Sequence, residues 1–466
     1  MSKVKIGFAP LHRDFFDESW AMEIRKRTLR ALSEIEGIEV IVPNEDLTKG
    51  GLVRNDDDAE KVIRLFKDED IAGVLLGTMT FGDEVAALKI AEAFRGMPIM
   101  LFGTKEPPFT PDGNRRSDSF CGTLSISSGL HRRNIPFTFV GIISPEESAF
   151  LRAVKDFART CSILKGFLGA RIGLVGPRPE RFETCVFNEV AMINHFGQEV
   201  IYVSLGQLFE VMDSIKDDDA QLKAIINEMR AQADTSEVSD KAVLNMARLE
   251  LALRRIIKEK KLQALALRCW LEIEEVYGIS PCYVLGRLTD SGIMVACESD
   301  VYGALTMLIQ YLASLRSTPP HFIDWTIQHQ EKEDVFLAWH CGNAPPSLVR
   351  KEAKVKLRPH SILSRVLDPE RTQGTGEFQL RPGPVTICRL IEHEGKFKIL
   401  ITKGEIVESH QSLRGSWSWV KVEDLDKLYR TLVEEGFTHH ASMIHGDYVK
   451  PIADACKFLG IETVIV

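Results

Sequence analysis

The sequence contains no C-x-x-C pair, no H-E-x-x-H, no dense basic stripe and no apolar run approaching the roughly 20 residues of a membrane span. Each absence removes a class of protein. A closed structural zinc site of the common kinds is not expected, and neither nucleic acid nor a membrane is an expected partner. The nine cysteines are odd in number and scattered, with Cys161, Cys185, Cys388 and Cys456 inside apolar runs, where free cysteine behaves as a small hydrophobe. That usage predicts a reducing compartment rather than a disulfide framework. Met1-Ser2-Lys3-Val4-Lys5-Ile6 lacks the apolar core of a signal peptide and runs straight into a strand, so a cytoplasmic location is expected. Gly169-Ala170-Arg171-Ile172-Gly173-Leu174-Val175-Gly176 is glycine-spaced around a strand. It has neither G-x-G-x-x-G nor a phosphate-loop Lys-Ser/Thr, and no nucleotide site is expected there.

What is present is an ordinary globular composition, 44% hydrophobic and 27% charged with a net charge of -8, on 466 residues. That length is too great for one core and suits two or three domains. Residues 4–9, 38–42, 71–76 and 99–102 read as short apolar strands, and they alternate with amphipathic helices at 18–35, 59–66 and 84–93. Such alternation predicts a parallel sheet covered on both faces. The pattern restarts at 171–176, followed by a helix over about 181–196 and a strand at 200–204. Residues 208–260 read as two or three polar helices, and strands resume at 263–267, 293–297, 321–325 and 335–339. Beyond 355, Pro- and Gly-rich loops give way to alternating strands at 385–391 and 397–402, joined by a turn at Glu392-His393-Glu394-Gly395-Lys396. Helices follow at 422–434 and 448–458. The predicted class is α/β: two doubly wound α/β domains (1–170 and 171–354) followed by a smaller β-rich C-terminal domain (355–466).

Three polar groups stand out against these apolar runs. Glu298 follows the strand that ends at Cys297, Asp324 interrupts Phe322-Ile323-Asp324-Trp325, and His340 ends the strand that precedes Cys341. Each has a bland reading. Ser299 or Asp300 makes a good helix N-cap, an aspartate in a strand can accept loop hydrogen bonds, and a lone histidine is often packed. Jointly they are better read as groups brought to one site, because residues just past the carboxyl ends of strands face the ligand crevice of open α/β sheets. Downstream, Thr438-His439-His440-Ala441 offers a fourth group. If it is a strand, only one of His439 and His440 faces a given site. Two carboxylates with one or two histidines suit Mn²⁺, Mg²⁺, Fe²⁺ or Co²⁺. Trp417-Ser418-Trp419 reads equally as a sugar-stacking surface and as core.

At these residues the chain resembles the L-fucose/L-arabinose isomerase family, metal-dependent aldose–ketose isomerases. The resemblance rests on Cys297-Glu298-Ser299-Asp300-Val301-Tyr302-Gly303, Phe322-Ile323-Asp324-Trp325-Thr326, Ala338-Trp339-His340-Cys341-Gly342 and Thr438-His439-His440-Ala441, and its domain plan covers essentially the whole chain. It implies Glu298 as metal ligand and acid/base residue, and Asp324 as the second carboxylate ligand of the fucose branch. The arabinose branch has a glutamate one position earlier, where this chain has Ile323. His440 matches the C-terminal metal histidine, and His340 a ligand of the arabinose branch. The implied activity interconverts an aldose and a ketose, a pentose or 6-deoxyhexose, through a metal-stabilised ene-diol with Mn²⁺ favoured. A monosaccharide substrate and a trimeric or hexameric homo-oligomer are implied with it. A non-catalytic cytosolic sugar-binding protein, or a metal-dependent lyase or hydrolase, are the readings from other classes.

Overall fold

The computed structural model describes residues 3–351 and 353–466. The chain divides into two compact units, Met1–Lys165 and Gly166–Val466. In the first unit, strands β1 (Val4–Leu11), β2 (Ile38–Ile41), β3 (Gly73–Thr78), β4 (Ile99–Thr104) and β5 (Thr138–Ile143) alternate with helices α1 (Glu18–Ser33), α2 (Asp56–Asp68), α3 (Glu84–Ala93), α4 (Ser119–Arg132) and α5 (Ser148–Phe167). The strands form one parallel sheet in the order β2-β1-β3-β4-β5. β3 and β4 are buried along their whole length, as a sheet covered on both faces requires. This is the doubly wound unit that the alternating pattern predicted.

The second unit holds two sheets. A parallel one has the order β10-β9-β6-β7, from β6 (Arg171–Val175), β7 (Glu199–Val203), β9 (Ala264–Leu267) and β10 (Met294–Ala296), with β8 (Ala233–Asp234) lying outside it. The helices are α6 (Glu189–Phe196), α7 (Leu205–Ser214), α8 (Ala220–Gln232), α9 (Asp240–Lys260), α10 (Glu272–Tyr277), α11 (Cys282–Asp290) and α12 (Val301–Ala313). The helix expected over 181–196 begins only at Glu189. There the Asn188 side chain accepts the Ala191 N–H as N-cap, while Arg181 is left-handed and cannot belong to an α-helix. The polar stretch after 208 does form helices, α7 to α9.

The larger sheet is mixed and ten-stranded, β19-β16-β15-β18-β11-β12-β17-β14-β13-β8. Its strands after β8 are β11 (His321–Gln328), β12 (Val335–His340), β13 (Val355–Pro359), β14 (Gln373–Gln379), β15 (Gly383–His393), β16 (Lys396–Val407), β17 (Ser416–Lys421), β18 (His440–His445) and β19 (Glu462–Ile465), with helices α13 (Leu425–Glu434) and α14 (Val449–Leu459) between the later ones. β11 and β12 therefore pair with C-terminal strands and not with the parallel sheet. The β15–β16 turn is the predicted hairpin, with Glu394 and Gly395 both at positive φ, the two-residue turn whose twist matches the strands. Trp417 and Trp419 are buried against Val335 and Leu337, which decides for core over a sugar-stacking surface. Helix α12 is buried at every position and touches β9 and β10 on one side and β15 and β18 on the other. It is the apolar layer between the two sheets, and its N-terminus carries the site. Among the described residues, no helix is long and apolar enough to cross a membrane.

Candidate active site

Glu298 reaches the site through unusual backbone. It and Ser299 are consecutive non-glycine residues with φ of 58° and 59°, in the left-handed region that costs on the order of 1–3 kcal/mol per residue. Neighbouring hydrogen bonds hold the turn: the Ser299 N–H donates to Leu267 O (3.1 Å) and the Asp300 N–H to Cys297 O (3.1 Å). The chain thus doubles back just past the carboxyl ends of β9 and β10. Trp270 donates from Nε1 to Glu298 Oε1 at 3.3 Å.

His440 opens β18, and Asp324 lies opposite it in antiparallel register on β11. Directly opposed residues present their side chains on the same face, which brings the pair together. Asp324 is not at a strand end, as the sequence suggested, because β11 continues through the exposed Ile327 and Gln328. His440 donates from Nε2 to Glu298 Oε2 at 2.9 Å, and Nε2 is 3.7 Å from Asp324 Oδ1. From Nδ1 it donates to Asp300 Oδ2, also at 2.9 Å. Two of its ring contacts are with Phe322 and Phe182. The structure therefore collects Glu298, Asp324 and His440 from three separate stretches of sequence. His340 joins them: ligand atoms of Glu298, His340 and His440 fall within 4.8 Å of one another.

Asp300 is the residue whose role in the site the sequence reading missed. The expected N-cap function is real, since Oδ1 accepts the Gly303 N–H at 2.8 Å. The same carboxylate orients His440 and is paired with the fully buried Arg389 of β15, at 2.5 Å. Gly303 permits this packing, because a Cβ there would lie 2.5 Å from the Phe322 ring and 2.8 Å from Asp300 Oδ2. An aspartate before an apolar helix carries no sequence signal beyond capping. The arginine that would have betrayed its second role lies 89 residues downstream.

His439 corrects the alternation argument. It precedes β18, so the two-residue period does not apply, and its ring centroid is 4.1 Å from that of His440. It is exposed, yet one of its nitrogens lies within 4.8 Å of ligand atoms of Asp324 and His440.

The electrostatics follow from burial and pairing. Burial alone would raise Glu298 and Asp300. The hydrogen bond and charge of His440 hold Glu298 below the usual carboxylate range, and Arg389 with His440 does the same to Asp300. Burial would lower His440, but its bonds to Asp300, Cys185 and Glu298 carry it well above the usual imidazole value. For Asp324 burial outweighs the opposing charge of His440 and raises it to about 7, and its Oδ1 is buried without a hydrogen-bond partner. Burial lowers His340 to about 3 and keeps it neutral. Its Nδ1 accepts the Cys341 N–H at 2.9 Å, which leaves the ring proton on Nε2.

A small cavity adjoins the site, lined by Trp270, Glu274, Glu298, His340, His360 and Ile362 among others. Glu274 and His360 are further residues that sequence reading did not single out. His360 accepts the N–H groups of Ile362 and Leu363 at Nδ1, both at 3.2 Å, so it too carries its proton on Nε2.

The donor set can hold a divalent ion. Two carboxylates and an imidazole converge, the imidazole is oriented through its other nitrogen by a carboxylate, and a buried carboxylate oxygen has no hydrogen-bond partner.

Comparison with known proteins bears on what such a site does. Residues 7–168 match the fucose/sulfoquinovose isomerase N-terminal domain, and residues 338–466 the L-fucose isomerase C-terminal domain. A sulfoquinovose isomerase of Priestia aryabhattai is 25% identical over 466 residues, 99% of each chain. One from Clostridium sp. (strain MSTE9) is 27% identical over 397 residues, 84% of this chain and 85% of that protein. An L-arabinose isomerase of Enterobacter sp. (strain 638) is 23% identical over 293 residues, 60% of this chain and 57% of the other.

Proposed function

Since the chain belongs to the L-fucose/L-arabinose isomerase family of aldose–ketose sugar isomerases, we propose that Glu298, Asp324 and His440 form its active site and hold a divalent metal ion. The observation that carries this reading is the convergence of Glu298 Oε2 and Asp324 Oδ1 on His440 Nε2, at 2.9 and 3.7 Å. Mn²⁺ is the favoured ion, with Co²⁺, Fe²⁺ or Mg²⁺ suited to the same donors. When bound, it supplies Lewis-acid polarisation of the sugar's carbonyl and hydroxyl oxygens.

The chain's own residues supply the proton chemistry. One carboxylate of the pair Glu298 and Asp324 removes the proton from C2 of the open-chain aldose. The other helps deliver a proton to C1, through an ene-diol of the sugar. Asp300 keeps the His440 ring in one orientation, and Phe322 packs against that ring. To hold the ion, His440 gives up its Nε2 proton and keeps the one it donates to Asp300. His340, whose Nδ1 accepts the Cys341 N–H, instead keeps its Nε2 proton and donates it to a sugar oxygen; the ligand role the resemblance implied would require it to lose that proton as His440 does.

Sulfoquinovose is the first substrate to test, because the relatives named for it align over 84–99% of the chain, whereas the L-arabinose isomerases align over 56–67% of it. A pentose such as L-arabinose and a 6-deoxyhexose such as L-fucose complete the panel. A homo-oligomer, trimer or hexamer, belongs to the same proposal, and sedimentation velocity reads it directly. The deciding experiment loads purified protein with Mn²⁺, measures the metal content, and follows ketose formation from each sugar by NMR. Turnover of at least one sugar that depends on metal is expected. A fully loaded protein that binds sugars without converting any would overturn the reading in favour of a binding protein.

A further inference from the structure

Four of the nine cysteines, Cys269, Cys282, Cys297 and Cys341, line the cavity that Glu298 and His340 also line. None is used by the proposed isomerisation. Cys269 and Cys297 lie just beyond β9 and β10, which are adjacent and parallel with Ala266 opposite Ala296. The sheet therefore delivers both thiols to its carboxyl edge together. Their sulfurs and a Glu298 carboxylate oxygen all lie within 4.8 Å of one another. Cysteine packed only as a small hydrophobe has no reason to turn two sulfurs toward a carboxylate beside a cavity.

Two sulfurs and one oxygen make a soft donor set, unlike the two oxygens and one nitrogen of the isomerisation site. We infer that Cys269, Cys297 and Glu298 form a second metal site, for a thiophilic divalent ion such as Zn²⁺, and that filling it inhibits the enzyme. Tetrahedral zinc sits about 2.3 Å from sulfur and 2.0–2.2 Å from carboxylate oxygen, so its ligand atoms stand roughly 3.3–3.8 Å apart. The three atoms here, all within 4.8 Å of one another, draw inward to reach that spacing, and the cavity leaves the fourth position to water. Glu298 is common to both sites. An ion bound between the thiols withdraws that carboxylate from His440, so Zn²⁺ competes with the hard ion and not with the sugar. The inhibitory consequence rests on the proposed isomerase function, while the metal site itself does not.

Cobalt separates the two claims. Co²⁺ added to metal-free protein should give an intense near-ultraviolet thiolate-to-cobalt charge-transfer band, which Zn²⁺ abolishes. The oxygen and nitrogen site cannot produce that band. Cys269→Ser and Cys297→Ser should each weaken it at least twofold, and together eliminate it. In the isomerase assay, Zn²⁺ should inhibit the wild type, relieved by excess Mn²⁺, with the inhibition constant at least tenfold higher in Cys269→Ser. A wild-type protein that binds Co²⁺ without the band overturns the site whatever the variants do, and so does a band that survives both substitutions. A band accompanied by undiminished turnover in Zn²⁺ overturns the inhibition and leaves the site standing.

Discussion

Asp300 Oδ2 lies 2.9 Å from His440 Nδ1, across 140 residues of sequence. The contact fixes the imidazole by one nitrogen and presents the other to Glu298, the arrangement by which an outer carboxylate orients a metal-binding histidine. Asp300 also caps α12 and neutralises Arg389, so helix, buried ion pair and site share one side chain.

Asp300→Asn should separate these roles. Asparagine caps a helix as well as aspartate does, so α12 should survive. Arg389 loses its buried partner, at a cost of about 3–5 kcal/mol in stability. Mn²⁺ affinity should fall about 10–100-fold. Urea unfolding reads the first effect and calorimetric Mn²⁺ titration the second.

Glu298→Gln should lower turnover by about 10²–10⁴-fold, the usual weight of a general acid–base group, with the fold intact. Ketose formation followed by NMR, beside circular dichroism of the same sample, checks both halves. Unchanged isomerisation would remove Glu298 from the mechanism.

Asp324→Asn and His340→Gln are expected to differ in kind. The first should weaken Mn²⁺ binding, since it removes a charge from a ligand. The second should retain stoichiometric Mn²⁺ and raise KM, because a donor to the sugar is altered and the ligand set is not. Metal analysis after gel filtration, with paired kcat and KM values, distinguishes them. Loss of Mn²⁺ in His340→Gln would make His340 a ligand.

Glu274 gives the fold a pH dependence apart from the catalytic groups. It is 1% exposed, with only Oε1 bonded, to Ser280, and burial raises it from 4.5 to about 8. A raised carboxyl favours the protonated folded state. Its stabilising share is complete below 4.5 and is lost as pH rises through about 8, amounting to on the order of a few kcal/mol. Urea midpoints at pH 5, 7 and 9 should fall in the wild type from this source. They should fall less in Glu274→Gln, which has no proton to lose.

Local pattern carried far into this protein. Period-two and period-3.6 hydrophobicity located β3, β4, α3 and the β15–β16 hairpin, because each is specified by neighbours in sequence. The acid after β10, the aspartate within an apolar run and the histidines at 340 and 440 were visible as polar groups where burial is expected. Their order supplied the family resemblance. What the sequence did not contain was which sheet each strand would join. β11 and β12 read as successors of β10, yet they pair with β17 and β18 across stretches of about a hundred residues. Strand pairing is a non-local choice, made by register and by the faces left to bury, and no window of sequence encodes it.

Sequence alone therefore determined many of the elements, the α/β class and four of the site's polar residues, Glu298, Asp324, His340 and His440. Tertiary structure decided their company. It set Asp324 opposite His440, turned Glu298 into the site through two left-handed residues, gave Asp300 a second role and brought two thiols to one carboxylate. Each of these depends on side chains meeting across a sheet or a buried helix, where distance along the chain has no bearing on distance in space.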